Sequence, residues 1–369
     1  MKIWDAIVVG AGPAGCAAAY DLAARGREVL LLDKADFPRQ KACAGGLTDK
    51  AVKALRYSVE PVVRQRISKM RLERGAGRAT TLGRRSPCCV MTVREELDNF
   101  CFRKTISAGA RYRRTRTIDT ITEEASGVTL CVDGDLLRGR FLVAADGVHS
   151  RVRQLTGMGS GWFWRGFALE ATVPMANAAA HDLIFDFAPV REGYGWIFPK
   201  SDHLNIGLYS CSNDEKIDRE RLLAYIRSRE INTGPDCIIG QFAGFGAAQH
   251  NPASRRIFLT GDAGGFVDPL TGEGIYYAIV SGQAAASAIG RDLTSDAPAH
   301  VEFARITGPI RSDLAVSTSA ARWFYQNLDL AYRLISMPLL RRAALNAFAN
   351  GSDLARLAAR VKKVIPKAA

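Results

Sequence analysis

The stretch Met1-Lys-Ile-Trp-Asp5-Ala-Ile-Val-Val-Gly10-Ala-Gly12-Pro-Ala-Gly15-Cys16 decides the fold. Asp5 to Val9 is a short apolar, β-branched run, as expected of a parallel strand covered on both faces. It runs straight into a G-x-G-x-x-G turn. Gly10 permits the tight turn, Gly12 lets the backbone approach a pyrophosphate, and Gly15 lets the next helix pack close to the strand. That helix, opening at Pro13 and Ala14, points unpaired N–H groups and its positive dipole end at the phosphates. A second apolar strand, Glu28-Val-Leu-Leu-Leu-Asp33, ends in a carboxylate placed to accept hydrogen bonds from a ribose, with Lys34 beside it as a further contact. Strand, glycine triad, helix, strand and acid in this order predict an α/β, Rossmann-like dinucleotide-binding unit.

Working outward, 369 residues can hold two or more structural units with a full core. A hydrophobic content of 47% and a charged content of 24% lie in the soluble globular range. No stretch reaches the roughly 18 uninterrupted apolar residues of a membrane span. The first strand starts almost at Met1, so no signal peptide is expected. The cysteines at positions 16, 43, 88, 89, 101, 131, 211 and 237 have neither CxxC pairs nor His partners at zinc spacing, so no metal site is expected. They read as free thiols in a reducing compartment, and the expected location is the cytoplasm. The formal charge of +13 has its excess in runs such as Arg111-Tyr-Arg-Arg-Thr-Arg116 and in the tail. No nucleic-acid-binding pattern accompanies it, so the partners it suits are an anionic membrane surface or an anionic substrate; solvated basic faces explain it equally well.

Further along, Arg94 to Ala110 has helical periodicity, Thr115 to Gly139 reads as a meander, and Arg140 to Ala145 is another buried strand. From Phe167 to Tyr209 alternating segments predict a second, mostly antiparallel sheet. Ile257 to Thr260 is a strand, Gly274 to Leu293 a helix, and everything after Ala299 reads as helical. The expected organisation is a discontinuous cofactor domain (1–66, 93–158 and 249–298) with an inserted substrate domain (67–92 and 159–248) and a C-terminal helical region (299–369). Gly157-Met-Gly159-Ser-Gly161 follows a helix-like stretch rather than a strand, so no second dinucleotide domain is expected.

Two more motifs name the cofactor. Asp146-Gly147, in Val143-Ala-Ala-Asp-Gly-Val-His-Ser150-Arg-Val-Arg153, follows a strand and leads into a helix. So does Gly261-Asp262, in a segment that continues through Pro269, Gly272, Gly274 and Ile275. With the glycine triad these resemble the D-G and G-D motifs of FAD-dependent oxidoreductases of the aromatic hydroxylase and geranylgeranyl reductase superfamily. The resemblance spans residues 5 to 290 and implies bound FAD. It implies that Asp262 accepts hydrogen bonds from ribityl hydroxyls, and that the glycines after it start a helix facing the flavin N1–C2=O edge. It implies that Arg94 contacts FAD, and it adds Asp146, Gly147 and Arg153 to the cofactor set.

Two segments are similar to the geranylgeranyl reductase branch. Pro38-Arg-Gln-Lys41-Ala-Cys43-Ala44-Gly45-Gly46-Leu47 resembles the family's P-x-x-K-x-C-G-G-G-L loop beside the isoalloxazine, with Ala44 in place of the first glycine. The resemblance implies flavin contacts from Lys41, Ala44 and Gly45, a substrate contact from Gly46, and a functional thiol at Cys43 in place of a buried structural one. Tyr194-Gly-Trp196-Ile-Phe198-Pro199 resembles the Y-x-W-x-F-P motif that lines the substrate cavity; the downstream G-x-G is replaced by Gly207-Leu-Tyr209. A bulky Tyr209 shortens or reshapes a lipid cavity. By spacing alone these aromatics would be core. His149 and His203 are not expected to be catalytic.

Three functions follow from this reading. The first is FAD-dependent reduction of carbon–carbon double bonds in an isoprenoid or similarly apolar substrate, with a proton from Cys43 or a water held near it. NAD(P)H, acting as a transient visitor, or another donor such as an electron-carrier protein would supply the electrons. The second is an FAD monooxygenase that hydroxylates an aromatic group of a small molecule or of a protein Trp or Tyr; a halogenase W-x-W-x-I-P pattern is absent. The third, a prenyl-lipid carrier, has little use for intact flavin motifs. The amphipathic, basic C-terminal stretch from Asp329, with the tail Arg356 to Lys367, suits either a cover for the substrate domain or a peripheral contact with the inner face of a membrane.

Overall fold

The computed structural model describes residues 2–350 except 76, 213, 232, 251–253 and 296. The first strand, Ile3–Val9, lies between Val29–Asp33 and Asp135–Ala144 and runs parallel to both. Arg111–Arg114 continues the parallel set beyond Val29–Asp33, and Ile257–Leu259 pairs in parallel with Asp135–Ala144. Because successive strand residues face opposite sides, Ala6, Val8, Leu31 and Val143 enter one core with the helices Pro13–Ala23 and Ile275–Asp292. Ile7, Val9, Leu30, Leu32, Leu142 and Ala144 enter the core on the other side. This double burial is why the strands read as unbroken apolar runs.

The meander and the strand expected at Arg140–Ala145 are joined differently. Asp135–Ala144 is one strand of 10 residues. Its first half is antiparallel to Gly127–Val132, and from Arg138 it runs parallel to Ile3–Val9. Gly139 pairs with both Val128 and Trp4. Polar Arg138 and Arg140 give way to buried Phe141–Ala144 within a single strand, so composition alone divides it in two.

A second sheet has the order Cys237–Phe245, Trp164–Pro174, His203–Ser210, Gly193–Pro199, Leu183–Asp186, Lys69–Glu73, Ala79–Gly83. It is antiparallel apart from the Leu183–Asp186 pairing with Lys69–Glu73. One face packs Ile197, Leu204, Ile206 and Leu208 with the helix Arg219–Ser228. The other carries Phe185, Tyr194, Trp196, Phe198 and Tyr209. Within 67–92, Lys69–Glu73 and Ala79–Gly83 join this sheet. Cys89–Met91 instead pairs with Gly46–Thr48 and Gln65–Ile67 in a small sheet of its own. The chain returns there from the substrate side and Thr92 N–H donates to the Gly45 carbonyl at 2.8 Å, which needs Cys89–Met91 beside the loop.

The C-terminal helices Ala299–Gln326, Leu328–Ser336 and Pro338–Asn350 cover the aromatic face. Phe324 packs on Phe187 with ring centroids 5.1 Å apart, Phe348 on Phe185 at 6.0 Å, and Tyr332 Oη donates to the Leu72 carbonyl at 3.1 Å. The tail Arg356–Lys367 lies outside the described residues. Among the described residues no helix is long and apolar enough to cross a membrane.

Candidate functional site

The glycines of the first turn do different work. A Cβ on Gly15 would stand 1.7 Å from the Gly10 carbonyl oxygen, and one on Gly10 (φ +99°) 2.2 Å from that of Ala145, so both serve close packing. A Cβ on Gly12 would meet Arg39 Nη2 at 3.6 Å. Gly12 is also the N-cap of the helix Pro13–Ala23 and makes no side-chain cap bond, which leaves the first N–H groups, including those of Ala14 and Gly15, without a side-chain cap. Backbone donors, a helix dipole and an arginine around an open cradle are the donor set a pyrophosphate needs. Asp33 closes the adjoining end: Oδ2 accepts from Ala11 N–H at 2.6 Å and Oδ1 from Ala35 N–H at 2.9 Å. Lys34 is exposed.

Behind Arg39 lies a buried ion cluster. Asp98 is 3.1 Å from Arg39 and accepts two bonds from Arg94, both 2.9 Å, from the previous turn of the helix Arg94–Ser107. The Asp98 side chain is 0% exposed and that of Arg94 6%. Burial works against the Arg94 charge, but Asp98 and the neighbouring Cys43 more than restore it and hold Arg94 well above the usual arginine range.

The D-G and G-D motifs meet this cluster from the other side. Asp146 accepts from Ser150 Oγ (2.6 Å), Arg151 N–H (2.7 Å) and Val152 N–H (3.1 Å), while burial raises its pKa against those bonds. Gly147 sits at φ +80°. Arg153 donates to the carbonyls of Ala263 and Val148, each at 2.8 Å, and so ties the two motifs together. Gly261 brings the second motif onto the first turn: its Cβ would lie 3.0 Å from Ala14 Cβ. Asp262 Oδ2 accepts from Gly244 N–H at 3.2 Å. Burial raises its carboxyl pKa, and Lys41 and Arg94 oppose the rise. Lys41 donates to Gln241 Oε1 at 3.2 Å; its own pKa is lowered, first by burial and then by Arg94. The helix expected directly after Asp262 is a single turn, Gly261–Gly264, ended by left-handed Gly265 packed against the Phe245 carbonyl. The long helix begins at Ile275 with Gly274 as its N-cap, and the chain between crosses to the substrate sheet.

Cys43 stands where the two halves touch. Its N–H donates to Glu170 Oε1 at 2.8 Å, and its Sγ accepts from Gly45 N–H at 3.4 Å. Gly45, at φ +69°, could not be another residue, because a Cβ would meet the Thr92 carbonyl oxygen at 2.1 Å. Lys200 lies under the turn, donating to the Ala44 carbonyl at 2.5 Å with Met91 Sδ at 3.8 Å. Burial pushes its pKa down to about 8, against the pull of Cys43, Glu170 and Cys89.

The aromatic motif faces the same turn. A Cβ on Gly46 would be 3.2 Å from the Phe198 ring, and Pro199 is buried at the strand end. Trp196 Nε1–H donates to Asn205 Oδ1 at 2.7 Å, and its ring lies over Gly207, whose Cβ would be 2.2 Å from it. Tyr194 donates to the Thr271 carbonyl, Tyr209 to that of Pro269 (3.1 Å) and Tyr325 to that of Leu270 (3.0 Å). The two tyrosines of the sheet thus hold the loop that carries Gly272, where a Cβ would be 2.8 Å from Tyr194 Oη. Tyr209 is spent on this contact, packed 5.2 Å from the Tyr194 ring.

Sequence reasoning passed over Arg39, Asp98, Glu170 and Lys200. Arg94 and Asp98 are four apart on a helix and so share a face. Glu170 is an acid in an otherwise apolar alternation, and Lys200 follows Pro199 directly. Those are the signals that could have found them.

The family described as FAD binding domain matches residues 4–301. An uncharacterized protein of Methanosarcina barkeri is 30% identical over 91% of this chain and 87% of its own. The menaquinone reductase of Mycobacterium tuberculosis is 32% identical over 78% and 77%. The geranylgeranyl diphosphate reductase of Rhodobacter capsulatus is 30% identical over 82% and 79%. A geranylgeranyl bacteriochlorophyll reductase-like structure from Thermoplasma acidophilum superimposes with a TM-score of 0.81 at 19% identity, covering 99% of this chain and 100% of its own. The flavin-dependent brominase Bmp2 does so with 0.78 at 16%, covering 98% and 99%, so the fold alone does not choose the chemistry. With its glycine turn, D-G and G-D motifs and inserted aromatic sheet, the chain belongs to the FAD-binding-domain family of FAD-dependent oxidoreductases, with geranylgeranyl reductase-like relatives.

Proposed function

We propose that this oxidoreductase reduces carbon–carbon double bonds of an isoprenoid or similarly apolar chain, with Cys43 as proton donor. One observation carries the reading: the Cys43 turn stands between the Lys41–Arg94–Asp262 group and the aromatic face of Tyr194, Trp196 and Phe198. Geranylgeranyl diphosphate and the tail of menaquinone, in the names of the relatives, are both isoprenoid.

Gly10, Gly12, Pro13, Ala14 and Gly15 with Arg39 would hold the pyrophosphate of FAD, Asp33 and Lys34 its ribose side, and Asp262 the ribityl chain. Asp146, Gly147 and Arg153 shape the wall between. Lys41, Ala44, Gly45, Arg94, Gly272, Gly274 and Ile275 would contact the ring system. When bound and reduced, FAD supplies a hydride to one alkene carbon. The Cys43 thiol delivers a proton to the other carbon, which an isolated alkene needs because it is a poor hydride acceptor. Gly46, Tyr194, Trp196, Phe198, Pro199 and Tyr209 exclude water around the cationic character that develops there. NAD(P)H or an electron-carrier protein reduces the enzyme between turnovers.

The test is anaerobic stopped flow of the reduced holoprotein against geranylgeranyl diphosphate. Flavin reoxidation with a mass gain of two hydrogens per bond reduced is expected. Cys43→Ala should slow that step about 10²- to 10⁴-fold, the usual weight of a general acid, and leave reduction by dithionite unchanged. Reoxidation by oxygen but not by the prenyl compound would transfer the case to a monooxygenase acting on an aromatic group.

A further inference from the structure

Lys200, buried, and Glu170, half-buried, are ionisable groups that the chemistry above does not use, and both grip the reactive turn. Glu170 holds the Cys43 N–H at 2.8 Å, and Lys200 holds the next carbonyl, Ala44, at 2.5 Å. A Cβ on Gly45 would be 3.3 Å from Lys200 Nζ, so the ammonium lies against Ala44 and Gly45 of the turn. Lys200 is 2% exposed, in a protein where lysines ordinarily reach water. A structural clamp for a carbonyl needs no charge, and a buried ammonium is a costly way to supply one. Cys43 on the turn, Glu170 on Trp164–Pro174 and Cys89 on Cys89–Met91 face it, with Arg94 acting on Glu170 from the flavin side.

We propose that Lys200 is the proton reservoir of the site, recharging Cys43 after each turnover and itself refilled through Glu170. The inference rests on the reductase reading. In that reading the Cys43 S–H bond breaks as a C–H bond forms on the substrate, the hydride bringing the electron pair. A Lys200 N–H bond then breaks as S–H re-forms. The neutral amine takes a proton from the Glu170 carboxyl, which regains one from water; nothing is oxidised or reduced in these transfers. Lys200 acts through Cys43 and is a positioning residue. Burial has moved both groups towards neutral transfer, lowering Lys200 to about 8 and raising Glu170.

Two readouts test it. Without substrate, site-resolved iodoacetamide labelling of the holoprotein at pH 7.5 should be about tenfold slower at Cys43 in Lys200→Met than in wild type, because the variant lacks the amine that exchanges a proton with the thiol. Labelling of Cys131, a half-buried cysteine elsewhere, should be unchanged and serves as the internal control. Equal Cys43 rates overturn the proposal, whatever the substrate proves to be. With geranylgeranyl diphosphate and excess dithionite as reductant, the multiple-turnover rate of wild type should fall above pH 8. That limb should vanish in Lys200→Met and in Lys200→Arg, although arginine still donates to Ala44 and rescues folding. A limb that persists in both variants overturns the proposal. If wild type does not turn over at all, the reductase reading fails, and the labelling result still stands on its own.

Discussion

Replacing Asp98 by Asn keeps the shape of the site and deletes the one charge that two arginines share. The Arg94 side chain is 6% exposed and sits 2.9 Å from both Asp98 oxygens, and Arg39 is 3.1 Å away. Opposite charges about 4 Å apart interact by about 4 kcal/mol at an effective dielectric of 20. Breaking a buried pair from one side costs about 3–5 kcal/mol because the partner charge stays behind. The apoprotein should therefore lose about 4 kcal/mol to urea, read as a lower midpoint at constant slope. Arg39 also faces the Gly12 cradle, so a bound pyrophosphate replaces part of the missing anion. Saturating FAD should then recover more stability in Asp98→Asn than in wild type. A loss below about 1 kcal/mol in the apoprotein would show that solvent, not Asp98, neutralises this cluster, and the account of the site electrostatics would fail.

Gly12→Asp puts a carboxylate into the cradle without a backbone clash; the protein should purify colourless, with unchanged far-ultraviolet circular dichroism and FAD affinity at least 100-fold weaker by fluorescence titration. Gly207→Ala drives a methyl into the Trp196 ring and should cost about 1–3 kcal/mol and shift the tryptophan emission, while Gly234→Ala, with nothing within 4 Å, should be near neutral. Burial, seconded by Arg311, lowers His250 to about 4 from 6.5, so the folded state prefers the neutral ring. Between those values the unfolded chain binds more protons, so this contribution is fully present above pH 6.5 and fades towards pH 4. Unfolding free energies from urea titrations should fall across that window by up to about 3 kcal/mol, and less in His250→Leu.

The first turn, the order of motifs and the inserted sheet were legible in the chain because they depend on short-range rules. A glycine triad after an apolar run, alternation at period two and an acid at a strand end are local patterns. The single strand Asp135–Ala144 was not legible, since its partner changes from Gly127–Val132 to Ile3–Val9 midway. Nor was the short turn after Asp262, where packing on Phe245 ends what composition would continue.

The sequence by itself determined the cofactor class, the discontinuous cofactor domain and the aromatic identity of the inserted sheet. Tertiary structure alone decided which ionisable groups meet. Cys43 and Glu170 are 127 positions apart, Ala44 and Lys200 156, and Lys41 and Gln241 200. No local propensity encodes such distances. They arise when two sheets, each stable for its own apolar reasons, close on one turn and trap there the few charges that had no place in either core.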